Sequence, residues 1–361
     1  STPHYAVGLW RGKLMLRGCG RPSSEGPFVG DSALGALDLP CAVSGTAEIA
    51  SERRFTTDPR RWLQLGLATI WVIDAVLQSQ PFMFTKSFGT EVLAPTARGN
   101  PGWLSASILW AARLVELSPV WINALFVVLQ LLIGLGIASR RFLKPSLAVS
   151  LVWALVVWWF GEALGGLLIP GASALDGAPG SAILYAVVAV LLWPTDNSRE
   201  GVFIAARPFG MFAAKIVWFV LWGSLAILNL QPINLGGESI NRMIAGMGAG
   251  QPAWVNALVT GFSDVSEHDG TALEVFGSIV LAFLAAAIVL PAPARRVAVV
   301  TAVVSAAFIW VFGEALGAVY GGRMTDVSSG PLLALFALAY WPARAAATVR
   351  APVVVADSIE A

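Results

Sequence analysis

Long apolar runs separated by short polar connectors fill most of the chain. Runs able to cross a hydrocarbon core of ~30 Å, which takes ~20 helical residues, lie at about 62–81, 120–138, 146–169, 211–231, 272–290 and 297–320. Two shorter runs, about 179–193 and 331–341, each close on Trp-Pro. These predict either re-entrant segments or spans extended through a proline kink whose freed carbonyl is satisfied by neighbouring helices. Together the runs predict an all-α, polytopic integral membrane helical bundle of about eight transmembrane helices.

The order of the runs repeats. "WVIDAVLQSQP" (Trp71 to Pro81) matches "WGSLAILNLQP" (Trp222 to Pro232), and "GNPGW" (Gly99 to Trp103) matches "GQPAW" (Gly250 to Trp254), both at an offset of 151. "WWFGEALGG" from Trp158 and "WVFGEALGA" from Trp310 follow at 152, and the Trp-Pro pairs at 148. Matches in one order at a nearly constant offset predict two internal copies, 61–196 and 208–343. Four spans in each is an even number, so the four-helix repeats are expected to be parallel rather than inverted.

Lys and Arg set the expected orientation. Arg53, Arg54, Arg60 and Arg61 precede the first run, and Arg140, Arg141 and Lys144 sit between the second and third. Arg199, Arg207, Arg295, Arg296, Arg344 and Arg350 continue the alternation, whereas the other loops hold only Lys86, Arg98, Arg113, Arg242 and Arg323. By the positive-inside rule both termini are cytoplasmic. Trp62, Trp193 and Trp341 then mark the inner interface, and Trp103, Trp121 and Trp254 the outer one, as lipid-belt anchors. Residues 1–60, rich in glycine and without helical or strand period, read as a disordered cytoplasmic arm with no removable signal peptide, and 344–361 as a cytoplasmic tail.

Composition narrows the chemistry. The chain is 57% hydrophobic and 12% charged, against about 25% charged residues in soluble domains, which fits the cell membrane. A net charge of +1 without a nucleic-acid-binding motif gives no expectation of a nucleic-acid partner. Cys19 and Cys41 precede the first run and lack metal-ligand spacing, so they read as free thiols or, less simply, one disulfide. His4 and His268 lie outside the runs, which excludes bis-histidine haem ligation within the bilayer, and no cofactor or metal site is expected. No GxSxG, HExxH or SxxK pattern offers a catalytic residue. "AGMGAGQP" (Ala245 to Pro252) lacks a phosphate-loop lysine and reads as a turn, and "DVSEHD" (Asp264 to Asp269) reads as a solvated outer loop. "TKSFGTEVLAPTA" and "ESINRMIAGM" read as short interfacial helices.

The second and third runs of each half, "VVLQLLIGLGIASRRFLKPSLAVSLVWALVVW" (Val127 to Trp158) and Leu273 to Trp310, pair a glycine-bearing helix with a short basic turn and an alanine-rich helix. This pattern resembles the DoxX-like four-helix membrane family, here as a tandem fusion. The resemblance implies a redox context at the membrane, including quinone-coupled sulfur oxidation. It carries over no catalytic residue, because FGEALG is not assignable to the family's functional residues and the usual unit is a single bundle.

The polar residues inside the runs are the candidate site. Glu162 and Glu314 sit ~10 Å below the outer surface if their helices continue to 169 and 320. An acid at mid-membrane costs ~2.5 to 3.5 kcal/mol on insertion scales, so each should be protonated, paired or facing a wet cavity. Gly161 with Gly165, and Gly313 with Gly317, spell GxxxG and predict close helix approach, within the chain or to another membrane protein. Asp74 and Gln78 share a helical face, Gln80 lies beside Pro81, and Asn229 and Gln231 are their copies. The expected clusters are Glu162 with Gln78 or Gln80, and Glu314 with Asn229 or Gln231. Such clusters suit a proton, ion, small-molecule or quinone-head site, or simply clip helices together. Asp74 has no copy, since Leu225 occupies its place, which points to specialisation of one half. Transport is the leading expectation; a quinone-interacting subunit and a scaffold or assembly subunit are the alternatives.

Overall fold

The computed structural model describes residues 58–195, 203–235, 247–248 and 250–342. The expectations for nearly all of the 1–60 arm, for the 344–361 tail and for most of "ESINRMIAGM" fall outside these residues. Among the described residues the chain is helical and has no strand.

The N-terminal half carries α1 (Pro59–Gln78), α2 (Gly102–Leu117), α3 (Pro119–Ala138), α4 (Leu143–Phe160) and α5 (Ser181–Leu191). The C-terminal half carries α6 (Met211–Asn229), α7 (Ala253–Ala287), α8 (Ala292–Phe308) and α9 (Ser329–Ala339). α1 starts where Asp58 accepts the Arg60 amide at 3.1 Å beside a first-turn proline. Its buried stripe of Gln64, Leu67, Trp71, Asp74 and Gln78 keeps helical spacing. Arg61 closes the far end of α3 by donating to the Ile137 carbonyl at 3.0 Å and to that of Ala138, a cation placed at a helix C-terminus.

Five segments are long and apolar enough to cross a membrane: Pro119–Ala138, Leu143–Phe160, Met211–Asn229, Asp269–Ala287 and Ala292–Gly313. Their outer faces are apolar and uncovered. Leu125, Val128 and Leu132 on α3, and Val297, Val300 and Val304 on α8, are half or more exposed, a surface that suits lipid and not water. The chain is therefore a helical membrane protein. α1 has the length to span but carries Arg60, Arg61 and Asp74. α5 and α9 have 11 residues each, about 16 Å of helix and half of a bilayer core. They pack on each other in the interior, inside a core shared by both halves.

Two expectations are corrected. The runs expected to span 146–169 and 297–320 stop being α-helical at Phe160 and Phe308, the second continuing through a π-turn to Gly313. Each then makes a left-handed turn, Ala163 to Gly166 with φ of 51, 59, 64 and 70°, and Ala315 to Ala318 with φ of 47, 59, 74 and 48°. A left-handed residue other than glycine costs roughly 1–2 kcal/mol, and runs of them are rare. FGEALG thus encodes a turn, not a helix. The "DVSEHD" segment is no loop: it lies within α7, which bends at Asp269 (φ −122°). The N-terminal half breaks at the comparable place because Pro119 starts a new helix after Ser118, whereas Gly270 carries an amide hydrogen and lets α7 continue.

Candidate functional site

The left-handed turns aim both glutamates at the next helix. Glu162 Oε1 accepts from the Ser181 hydroxyl at 2.5 Å and the Ala182 amide at 3.0 Å, with Oε2 3.1 Å from that amide. Glu314 Oε1 accepts from the Ser329 hydroxyl at 2.5 Å and the Ser329 amide at 3.0 Å, and Oε2 from the Gly330 amide at 3.0 Å. Each carboxyl therefore caps the N-terminus of a short buried helix, α5 or α9, supplying acceptors to amides that have no partner inside their own helix.

The amides expected as partners are engaged elsewhere. Gln78 donates to Asn123 Oδ1, and Asn123 returns a bond to the Gln78 carbonyl at 2.9 Å. Asn229 accepts the Ala174 amide at 2.8 Å, and Gln231 accepts the Gly171 amide at 3.0 Å while donating to the Ala172 carbonyl at 3.3 Å. Gln80 Oε1 is buried and makes no hydrogen bond among the described residues. The reason is reach: the glutamates lie past the helix end, on a turn that faces the following helix and not α1 or α6.

The glycines serve these turns and not a helix–helix stripe. A Cβ on Gly165 would lie 1.8 Å from the Pro179 carbonyl oxygen, one on Gly317 2.6 Å from that of Val327, and one on Gly313 2.4 Å from that of Leu175. Backbone approaches this close exclude a side chain. Gly161 ends α4 as its C-cap. GxxxG therefore forms no continuous helical face here.

The loops before the short helices cross over. Residues 171–174 of the N-terminal half bond Asn229 and Gln231 of the C-terminal half. Residues 323–326 of the C-terminal half reach the N-terminal half. There Arg323 Nη1 meets Glu91 Oε2 at 3.0 Å and its guanidinium lies 4.9 Å from the Phe82 ring centre. The indole nitrogens of Trp158 and Trp310 hold the loop ends through the Pro179 and Val327 carbonyls, at 2.8 and 2.9 Å.

This crossing completes a cavity of about 510 Å³ between α1 to α5 and the loop at Thr325 and Asp326. Asp74, Glu162 and Asp326 line it together with aromatic and aliphatic side chains, and no Lys, Arg or His is among its lining residues. Asp74 is 1% exposed; its Oδ2 accepts the Tyr185 hydroxyl, while Oδ1 makes no hydrogen bond among the described residues. Gln130 Oε1 and Trp153 Nε1, also in the lining, are buried and without hydrogen-bond partners. Asp326, on its loop outside the spanning helices, accepts the Ser328 amide at 2.6 Å. Burial raises its carboxyl from the ordinary carboxylate range, against the Ser328, Ser181 and Thr325 donors that act the other way.

The two halves differ at this point. Glu314 is sealed, 2% exposed, whereas Glu162 opens on the cavity. The aspartate of the other crossing loop, Asp176, is exposed. Asp74, singled out for its missing copy, lies in the cavity with Glu162, as does Gln78, whereas Gln80, Asn229, Gln231 and Glu314 do not. Tyr185, Gln130, Asp326 and the two capping serines escape sequence reasoning. The serines carried a local signal, since Ser181 and Ser329 each open a run of helix formers after a glycine or a second serine. Asp326 carried none, because its place is set by chain crossing. Comparison with protein-family models, with curated proteins and with solved structures finds no match to this chain.

Proposed function

We propose that the protein is a carrier of the cell membrane that exchanges protons for a cation at Asp74, Glu162 and Asp326. In this reading the chain is built from two like-oriented four-helix units of the DoxX-like type, with eight membrane-embedded passes and both termini cytoplasmic. The paired FGEALG turns, paired glutamate caps and paired tryptophan clasps support the duplication. The observation that carries the function is the meeting of three carboxyls, from α1, the turn after α4 and the loop before α9, in one cavity whose lining has no basic side chain. Like charges this close in a low-dielectric site cannot all ionise unless a cation joins them, so cation arrival and proton release are linked.

Clipping helices together accounts for Glu314, which is sealed and fully engaged, but not for Asp74, whose Oδ1 is buried beside the cavity without a hydrogen-bond partner among the described residues. The quinone reading is weaker for a chemical reason. A quinone presents acceptors, and of the three fully buried lining atoms without a hydrogen-bond partner two are themselves acceptors, Asp74 Oδ1 and Gln130 Oε1, and one is a donor, Trp153 Nε1.

The test uses proteoliposomes with a trapped pH dye and external pulses of Na⁺, K⁺ or 4-phenylbutylammonium, corrected with protein-free vesicles. Cation-dependent proton efflux is expected in the native protein. It should fall at least about ten-fold in Asp74→Asn and in Glu162→Gln, the equivalent of ~1.4 kcal/mol. Proton efflux that is independent of cations, or unchanged in both variants, would overturn the carrier reading.

A further inference from the structure

We infer that the cavity binds an amphipathic organic monocation, an ammonium that pairs with the carboxyl of Asp74 and lays an apolar body along the aromatic wall of α3 and α4. This deepens the carrier reading and rests on it only for the step of transport.

Four observations point to this class of ligand. A cavity of about 510 Å³ lies within the roughly 300–1,000 Å³ typical of small-molecule sites. Its deep polar atoms without partners include two acceptors, Asp74 Oδ1 and Gln130 Oε1, on side chains only 1% and 7% exposed. The Tyr185 hydroxyl is committed to Asp74, the Ser181 hydroxyl lies between Glu162 and Asp326, and the Val327 amide also faces the Asp74 carboxyl, so the lining suits a ligand that brings a donor of its own.

The rest of the lining is apolar and aromatic. Trp71, Phe126 and Trp153 bring aromatic rings, a residue type whose faces attract cations, while Val157, Phe160 and Leu114 extend the surface for a hydrocarbon body. A bare metal ion fits less well: among the described residues no three His, Cys, Asp or Glu side chains are grouped to hold one.

The crossing loop supplies part of the cavity wall. Thr325 and Asp326 reach this cavity from the C-terminal half, held at the surface by the exposed Arg323–Glu91 contact. Asp326 is thus the one carboxyl of the three that comes from the other half of the chain.

The experiment is binding to the purified full chain in detergent, read by intrinsic fluorescence, since Trp71, Trp110 and Trp153 line the cavity. The probes are 4-phenylbutylammonium and its neutral counterpart of equal shape, 4-phenyl-1-butanol. The ammonium is expected to quench saturably and to bind about ten-fold tighter than the alcohol, with K⁺ at matched ionic strength failing to compete. Asp74→Asn should remove that preference while leaving the alcohol's affinity as it was, so retained alcohol binding shows that the variant is folded. Asp326→Asn should weaken the ammonium at least a few-fold, and Asp176→Asn, on the exposed loop, should not. Equal binding of ammonium and alcohol, competition by K⁺ at equal concentration, or an unchanged preference in Asp74→Asn each overturns the ligand class. Ammonium binding in detergent without proton-coupled flux in vesicles would support the site and remove the carrier.

Discussion

Alanine at Gly165 is expected to prevent assembly of the folded protein, whereas alanine at the adjacent Gly166 should only weaken it. Both positions are left-handed, with φ of 64 and 70°, so both substitutions carry the backbone strain of roughly 1–2 kcal/mol. They differ in space. Nothing lies within 4 Å of a Cβ built on Gly166, but one on Gly165 meets the Pro179 carbonyl oxygen at 1.8 Å. That atom is backbone, held in turn by the Trp158 indole at 2.8 Å, so it cannot rotate away as a side-chain end would. The combined loss at Gly165 should exceed about 4 kcal/mol, the range reached only by a named structural lesion. Melting in detergent followed by size-exclusion chromatography checks it. Equal melting of Gly165→Ala and Gly166→Ala would mean that the turn and the loop at Pro179 do not pack as described. Gly317→Ala, with the Val327 oxygen at 2.6 Å, should repeat the effect in the C-terminal half.

The second large effect is expected at Glu314. Replacing it with alanine strands three donors, the Ser329 hydroxyl and the Ser329 and Gly330 amides, in a place that water does not reach. Each unsatisfied buried donor costs about 1–3 kcal/mol, so Glu314→Ala should lose ~4 kcal/mol or more. Glu314→Gln keeps a carbonyl oxygen in place and should lose ~1–2 kcal/mol. Glu162→Ala should be milder than Glu314→Ala, because its side chain opens on the cavity and its donors can be solvated from there. Melting temperatures of the four proteins decide it. Glutamine and alanine at 314 giving the same loss would show that the carboxyl does not cap α9.

These two predictions concern one motif, and the motif shows how far a linear pattern reaches. The acid of the repeated FGEALG is costly inside apolar sequence, whatever structure surrounds it. Its glycines spell a GxxxG face because the apolar run continues past them, and a run of this composition has no local mark for where its helix ends. Propensity speaks for Ala163 and Leu164 in a helix; the backbone of residues 178–180, packed against Gly165, decides for a left-handed turn. The same holds for the partners of the glutamates. Gln78 and Gln80 have the depth and face expected of partners, whereas Ser181 and Ser329 meet the glutamates because the chain doubles back into a short buried helix.

From the order of its residues alone, this chain was bound to be helical and membrane-embedded, with apolar runs near 120–138, 146–169, 211–231, 272–290 and 297–320 and with an acid, Asp74, inside the run at 62–81. Those properties depend on composition and on the spacing of apolar positions, and each is a property of one segment considered by itself. Only the tertiary structure decided that Asp74, Glu162 and Asp326 share one cavity, that Glu314 is sealed out of it, and that a loop from each half crosses to the other. Such meetings join residues as far apart as 74 and 326, and no periodicity within a segment records which other segment its polar atoms will face.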